Sequence, residues 1–115
     1  NNGNPSIVGT WVFDSGKTDE WSSKTMQMVE SVTFNAKGTG SVSGTMTDNG
    51  VPVSLNATFD YILTWKDGVG TLMITNLKGM SGFVEEGTYK LNSSSTGNML
   101  TSTMLRINYI VYNRR

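Results

Sequence analysis

Apolar and polar residues alternate along most of the chain, and short runs of turn-forming residues separate the alternating segments. A period of two residues is typical of β-strands with one buried face, whereas an amphipathic helix repeats about every 3.6 residues. The pattern predicts eight strands, at about residues 7–13, 26–34, 39–47, 53–65, 69–75, 84–91, 98–104 and 106–114. No segment has a convincing helical period, so we expect an all-β protein.

The connections between these segments predict how the strands follow one another. Hairpin turns are expected at 35–38, at Asp48-Asn49-Gly50 and at Asp67-Gly68, because Asn, Asp and Gly tolerate positive φ. Gly40 and Gly44, facing inward on the third strand, leave room for neighbouring side chains or let the strand bend. Strands joined largely by hairpins, with no helical crossover, predict a single-domain, eight-stranded antiparallel up-and-down β-barrel.

Composition narrows the class of protein further. The chain has 115 residues, of which 37% are hydrophobic and 16% charged, which suits one domain with one core. Residues 1–6 predict a polar N-terminal tether, and residues 7–115 predict the barrel domain. Nine basic residues balance nine acidic ones without a basic stripe, so we expect no nucleic-acid partner. No apolar run reaches the roughly 18 residues of a membrane-spanning helix, so any membrane link is expected through a removed or lipidated N-terminus.

The residue types present leave little room for catalysis. The chain contains neither Cys nor His, which excludes disulfides, thiolate chemistry and a conventional serine triad. Glu85 and Glu86 are adjacent on a strand and point to opposite faces, so they cannot act as a paired acid and base. Asp48-Asn49-Gly50 lacks the further ligands of a calcium loop. We therefore expect no enzymatic activity, no catalytic residue, no metal site and no cofactor.

The two ends of the chain carry a resemblance to a known family. Gly9-Thr10-Trp11 on the first strand, a long first loop containing Trp21, the meander and the terminal Asn113-Arg114-Arg115 resemble the lipocalin-like, calycin-type domains of small bacterial envelope lipoproteins. The resemblance implies that Trp11 plugs the closed end of the barrel under an Arg of the last strand. Arg114 and Arg115 point to opposite faces, and we favour Arg114. Gly9, Trp11 and Arg114 are thus expected to close the barrel.

The same resemblance implies a location and a class of function. It implies a protein of the bacterial periplasm or outer cell surface, lipid-anchored through an upstream segment. The oligomeric state is left open, with a monomer favoured. It also implies a barrel mouth that the Trp21 loop covers, where Trp21 either contacts a ligand or folds back as an apolar plug.

The interior of an eight-stranded barrel is just wide enough for packed side chains or one small ligand. If the alternation holds, the interior is lined by Met26, Met28, Phe59, Tyr61, Trp65, Tyr89 and Tyr109. Met and aromatic side chains suit an apolar or planar ligand and suit a filled core equally well. These residues, with Trp21 and Glu30, are the candidate ligand-binding set.

Two carboxylates fall on apolar faces of their strands. Glu30 lies in the row of Met28, Val32 and Phe34, and Glu85 shares the face of Tyr89. A carboxylate inside a barrel needs a partner or a raised pKa, so either could be a polar anchor within a pocket. The alternative is that a β-bulge or a register shift of one residue places each in solvent.

Two function hypotheses follow from these observations. The first is a non-enzymatic binding module of the bacterial cell envelope that holds a small apolar or amphipathic ligand in the barrel mouth. The second is a structural or interaction module with a filled barrel, whose loops or polar Ser/Thr faces contact a protein or a glycan. The volume and polarity of the interior distinguish the two.

Overall fold

The computed structural model describes residues 4–14, 28–80, 85–92 and 97–115, with the backbone alone at 28–29 and 46–48. Within these residues the secondary structure is β-strand and turn, without helix. The strands are β1 (Gly9–Phe13), β2 (Met28–Phe34), β3 (Thr39–Asp48), β4 (Val51–Lys66), β5 (Val69–Gly79), β6 (Gly87–Leu91), β7 (Met99–Leu100), β8 (Met104–Ile107) and β9 (Ile110–Arg114). The expected all-β class is confirmed.

All nine strands belong to one sheet, in the order β6-β5-β4-β3-β2-β1-β9-β8-β7. Each neighbouring pair in this order is antiparallel, and the pairing of β1 with β9 joins the two ends of the chain. Between β6 and β7 there is a single parallel bridge, Asn92 to Met99. An odd number of strands cannot alternate in direction around a closed ring, so one junction must be parallel. The result is a nearly closed antiparallel β-barrel, compatible with a calycin-like fold.

The ninth strand arises where the sequence predicted a single strand over 106–114. That prediction is wrong, because Asn108 and Tyr109 both have positive φ, 54° and 71°, and form a turn between β8 and β9. The predicted strand over 98–104 is also wrong in extent, because β7 ends at Leu100 and Thr101 begins the next turn. The predicted hairpin turns at Asn49-Gly50 and Asp67-Gly68 are confirmed, with positive φ at all four residues.

The strands are staggered, and two bulges break their registers. In β2, Val29 pairs with Gly44 and Ser31 with Ser43, so Glu30 is an extra residue. Between β4 and β5 the register shifts beside Thr58, and Asn76 adopts a φ of 53°. A bulge with a left-handed residue bends the strand and increases its local twist. At this bulge the Asn76 side chain hydrogen-bonds Asp60 of β4.

Alternate residues of the long strands face a common core. Leu55, Phe59 and Tyr61 point inward from β4 while Ser54, Asn56 and Thr58 point outward. The core comprises Ile7, Trp11, Val32, Phe34, Val42, Leu55, Ala57, Phe59, Tyr61, Leu72, Ile74, Leu91, Leu100, Leu105, Ile107, Ile110 and Tyr112. Burial of such side chains is the main source of stability in a domain of this kind.

Candidate functional site

Arg114 organises one end of the barrel, where it lies beside Trp11. Its guanidinium carbon lies 4.3 Å from the centroid of the Trp11 ring. The same group donates hydrogen bonds to the backbone oxygens of Ser102 at 2.8 Å and Val8 at 2.7 Å, and to that of Ser6. A planar guanidinium can stack on an aromatic face while its N–H groups bind several carbonyls in its plane. Arg114 therefore links the last strand to the N-terminal segment and to the turn before β8.

Trp11 and Gly9 fit this arrangement. Trp11 is fully buried, and its indole Nε1 donates to the Ile7 oxygen at 2.9 Å. Gly9 has a φ of 135°, and a Cβ built there would lie 2.8 Å from Nη1 of Arg114. Any other residue at position 9 would be strained and would displace the guanidinium. Arg115, in contrast, is exposed, and its backbone N–H donates to the Thr10 oxygen.

Phe59 and Tyr61 lie inside the barrel in direct contact with Phe34. The ring centroid of Phe34 is 5.5 Å from that of Phe59 and 5.0 Å from that of Tyr61, both in edge-to-face geometry. The Tyr61 hydroxyl donates to the backbone oxygen of Asn35 at 2.6 Å, and burial raises the pKa of this phenol. Gly40 makes room for the Phe59 ring, because a Cβ there would collide with it. This part of the interior is filled by side chains.

The remaining interior residues of the described chain divide into buried and partly buried groups. Trp11, Leu55, Leu72, Leu91, Leu100, Leu105 and Tyr112 have no exposed surface. Burial also raises the pKa of the Tyr112 phenol. Trp65 and Tyr89 are only partly buried and pack against the core, as Phe13, Leu63 and Leu77 do. The Tyr89 hydroxyl donates to the backbone oxygen of Glu85 and accepts from the Glu85 backbone N–H.

Two predicted interior positions are corrected by the structure. Glu30 is exposed, because the extra residue in β2 turns its side chain away from the row of Val32 and Phe34. Tyr109 is 74% exposed, because it lies in the β8–β9 turn instead of within a strand. Glu85 is exposed as well. The solvent alternative therefore holds for both carboxylates, and Tyr109 does not line the interior.

Three members of the candidate ligand-binding set lie outside what the structure describes. Trp21 and Met26 belong to the undescribed residues 15–27, and Met28 is described by its backbone alone. The structure thus brings Phe59 and Tyr61 together. It places Trp65 and Tyr89 at the margin of the core and separates Glu30 and Tyr109 from it.

A groove on the outer wall of the barrel was not among the predicted sites. It has a cavity volume of about 430 Å³, and an adjoining one of about 300 Å³ continues it along β3 and β4. The larger cavity is lined by Asn35, Thr39, Gly40, Ser41, Thr58, Phe59, Asp60, Asn76 and Lys78. Residues Ser41, Thr58 and Lys78 line both cavities. The two therefore form one continuous groove.

The groove owes its side wall to the β5 bulge. Asn76, at the left-handed position, donates from Nδ2 to Asp60 Oδ2 at 2.6 Å across to β4. Thr58 pairs with Ser41 on β3 and with Lys78 on β5, so the three side chains form a row across the strands. The alternation of Ser and Thr on β3 and β4 was visible in the sequence, but the bulge was not.

The groove offers hydroxyls, amides, one carboxylate and one ammonium. Such groups donate and accept hydrogen bonds and provide no evident nucleophile with a base beside it. Among the described residues, no three Asp or Glu side chains come together as a metal site would require. The described part of the chain also contains no helix long and apolar enough to cross a membrane.

Known proteins add nothing further to this picture. No protein-family model matches the chain, and comparison with curated proteins and with solved structures gives no significant match.

Proposed function

We propose that this protein is a non-enzymatic binding module with a filled barrel, which binds a glycan in the groove on its outer wall. The observation that carries the proposal is the contrast between the two surfaces of β3, β4 and β5. Inward side chains such as Leu55 and Ile74 are buried and belong to the packed core. Outward side chains such as Ser41 and Thr58 line an open groove of about 430 Å³. A ligand of this domain then meets hydroxyls and amides first.

The chemistry of the groove favours a sugar among polar ligands. A polyol presents many hydroxyls that both donate and accept, and the hydroxyls of Ser41 and Thr58 and the amide of Asn76 can do the same. Asp60 accepts and Lys78 donates at the β5 side, which adds two charge-assisted hydrogen bonds. A single carboxylate beside a single ammonium does not favour a strongly charged ligand of either sign.

The proposal includes a relationship to the lipocalin-like domains of bacterial envelope lipoproteins. It is supported by the contact of Arg114 with Trp11 beside Gly9, because this arrangement fits the barrel-closing residues expected for that family. An envelope location with an upstream lipid anchor belongs to the same proposal. Fractionation of the source cells, followed by mass spectrometry of the mature N-terminus, tests that part.

Calorimetric titration with chitohexaose, cellohexaose and maltohexaose tests glycan binding. Thr58→Val removes one hydroxyl from the groove. It should raise the Kd of the hexasaccharide by about tenfold, which corresponds to the loss of one hydrogen bond. Thr64→Val is the matched control, because Thr64 is also exposed on β4 but does not line the groove. Failure of all three sugars to bind, or equal effects of the two variants, would overturn the proposal.

A second candidate, an apolar ligand in the barrel mouth, is favoured by the partly buried side chains at the margin of the core. Leu63, Trp65 and Tyr89 keep some exposed surface while packing against it. Titration with a fluorescent fatty acid should then quench Trp emission, and Trp65→Phe should reduce the response. Unchanged emission at saturating probe would rule this candidate out.

A further inference from the structure

The turn between β8 and β9 holds a large aromatic side chain in an unfavourable backbone conformation. Asn108 has a φ of 54° and Tyr109 a φ of 71°, and Ile107 pairs with Ile110 on either side. Two central residues with positive φ are the mark of a type I′ hairpin turn, where Asn-Gly is preferred. Asn suits the first position, but Tyr occupies the position that favours Gly.

Tyr109 gains little burial in return for this strain. Its side chain is 74% exposed, the highest value among the exposed large hydrophobic residues of the described chain. A non-glycine residue in the left-handed region persists when its surroundings enforce it, and such residues cluster at functional sites. Packing within the domain therefore does not explain why an aromatic residue stands here.

The surroundings hold the turn firmly and present polar groups beside the ring. The Asn108 N–H donates to Asn98 Oδ1 at 3.0 Å, and Arg106 Nε donates to the Gly97 oxygen at 2.8 Å. The first bond ties the β8–β9 turn, and the second ties β8, to the segment before β7. Tyr109 thus projects from a fixed support, with the exposed Asn108 next to it. A rigid aromatic flanked by amides offers contact area at low entropic cost together with hydrogen bonds.

We propose that Tyr109 is a second contact for a polysaccharide, stacking its ring on the apolar C–H face of a sugar. The inference rests on the glycan class proposed above, but it concerns a separate surface. In the sheet, β2 and β1 lie between β3 of the groove and β9 of this turn. The amides of Asn108 and Asn98 beside the ring can hydrogen-bond the hydroxyls of a sugar whose C–H face stacks on Tyr109. A long polymer can engage two such sites and gain avidity.

The test compares polymer and oligomer binding in one set of variants. Insoluble chitin, cellulose and starch are the polymers, and the hexasaccharide that binds the wild-type protein is the oligomer. Tyr109→Gly should weaken polymer binding by about tenfold or more, since the second contact and its avidity are lost. It should leave hexasaccharide binding in the groove unchanged. It should also raise the Tm by about 4 °C, because Gly relieves the strain at this position.

Two further variants separate the ring from the backbone. Tyr109→Phe keeps the ring and should retain polymer binding. Asn108→Gly changes the backbone of the same turn while leaving the ring in place, so it should bind the polymer as the wild type does. The expected combination, a higher Tm with weaker polymer binding, is one that a merely structural role for Tyr109 would not produce.

Different results would contradict the Tyr109 contact and glycan binding in the groove. If Tyr109→Gly binds the polymer as the wild type does, while Thr58→Val binds it more weakly, the Tyr109 contact is ruled out and the groove is not. A lower Tm in Tyr109→Gly shows a structural role and overturns the inference. Concentration-dependent dimerisation that Tyr109→Gly abolishes assigns the ring to a second copy of the chain instead. If no polymer and no hexasaccharide binds the wild-type protein, both proposals fail.

Discussion

The end of the barrel around Arg114 and the groove on the outer wall use polar groups in opposite ways. At the first, Arg114 lies over Trp11 and donates to backbone oxygens of two separate segments. In the groove, Ser41 and Thr58 present exposed side chains to solvent. The first region commits its hydrogen bonds to the fold, whereas the second keeps donors and acceptors accessible. Stability and recognition are therefore expected to respond to different residues.

Replacing Trp11 should have the largest effect on stability. Trp11→Ala removes a fully buried indole, its hydrogen bond to Ile7 and the contact with Arg114. We expect the free energy of unfolding, measured by urea denaturation, to fall by about 3–5 kcal/mol. Trp65→Ala is the comparison, because Trp65 is only partly buried and should cost clearly less. Equal losses would mean that the burial of Trp11 under Arg114 has no special role in stability.

Gly40 extends the comparison to a single strand, since the groove lies on one side of it and the core on the other. A Cβ at position 40 would collide with the Phe59 ring and lie 2.9 Å from the Thr33 oxygen. Gly40→Ala should therefore destabilise the fold by about 1–3 kcal/mol, as overpacking does. In a double-mutant cycle, Phe59→Leu should relieve part of this cost. Additive losses would contradict the proposed collision.

The predicted barrel class came from information that is local in sequence. Asp67-Gly68 specifies a hairpin by itself, because both residues accept positive φ. Asn108 gives the same signal, but Tyr109 after it does not, so the alternation from 106 to 114 was interpreted as one strand. Tertiary contacts decide this turn, since Asn98 accepts a hydrogen bond from Asn108. Such a contact is not visible in a single sequence.

The candidate site depends still more on long-range geometry. One extra residue in β2 moves Glu30 from the predicted interior to solvent. The outward Ser and Thr residues of β3 follow from the alternation, but their arrangement into a groove requires the bulge at Asn76. A bulge reverses every inference from period two beyond it, and its position depends on the partner strand. The polar residues of the groove were therefore predictable as outward-facing, but their assembly into one groove was not.

Arg114 and Arg115 allow the contacts of the Arg114 guanidinium to be measured with one chemical change. Arg114→Lys keeps the charge but removes the planar group that contacts Trp11, Val8 and Ser102 at once. We expect a loss of about 1–2 kcal/mol in the free energy of unfolding. Arg115→Lys, at an exposed neighbour, should change it by less than about 0.5 kcal/mol. Similar effects of the two variants would show that charge alone matters here.

The groove residue Thr58 should show the smallest effect on the free energy of unfolding. Thr58→Val retains the β-branched shape that a strand favours and removes only an exposed hydroxyl. Its free energy of unfolding should stay within about 0.5 kcal/mol of the wild type, as should that of Thr64→Val. A large loss of stability in Thr58→Val alone would mean that the groove hydroxyl supports the fold. A groove whose residues can change without cost to the fold is one that selection can adapt to a ligand.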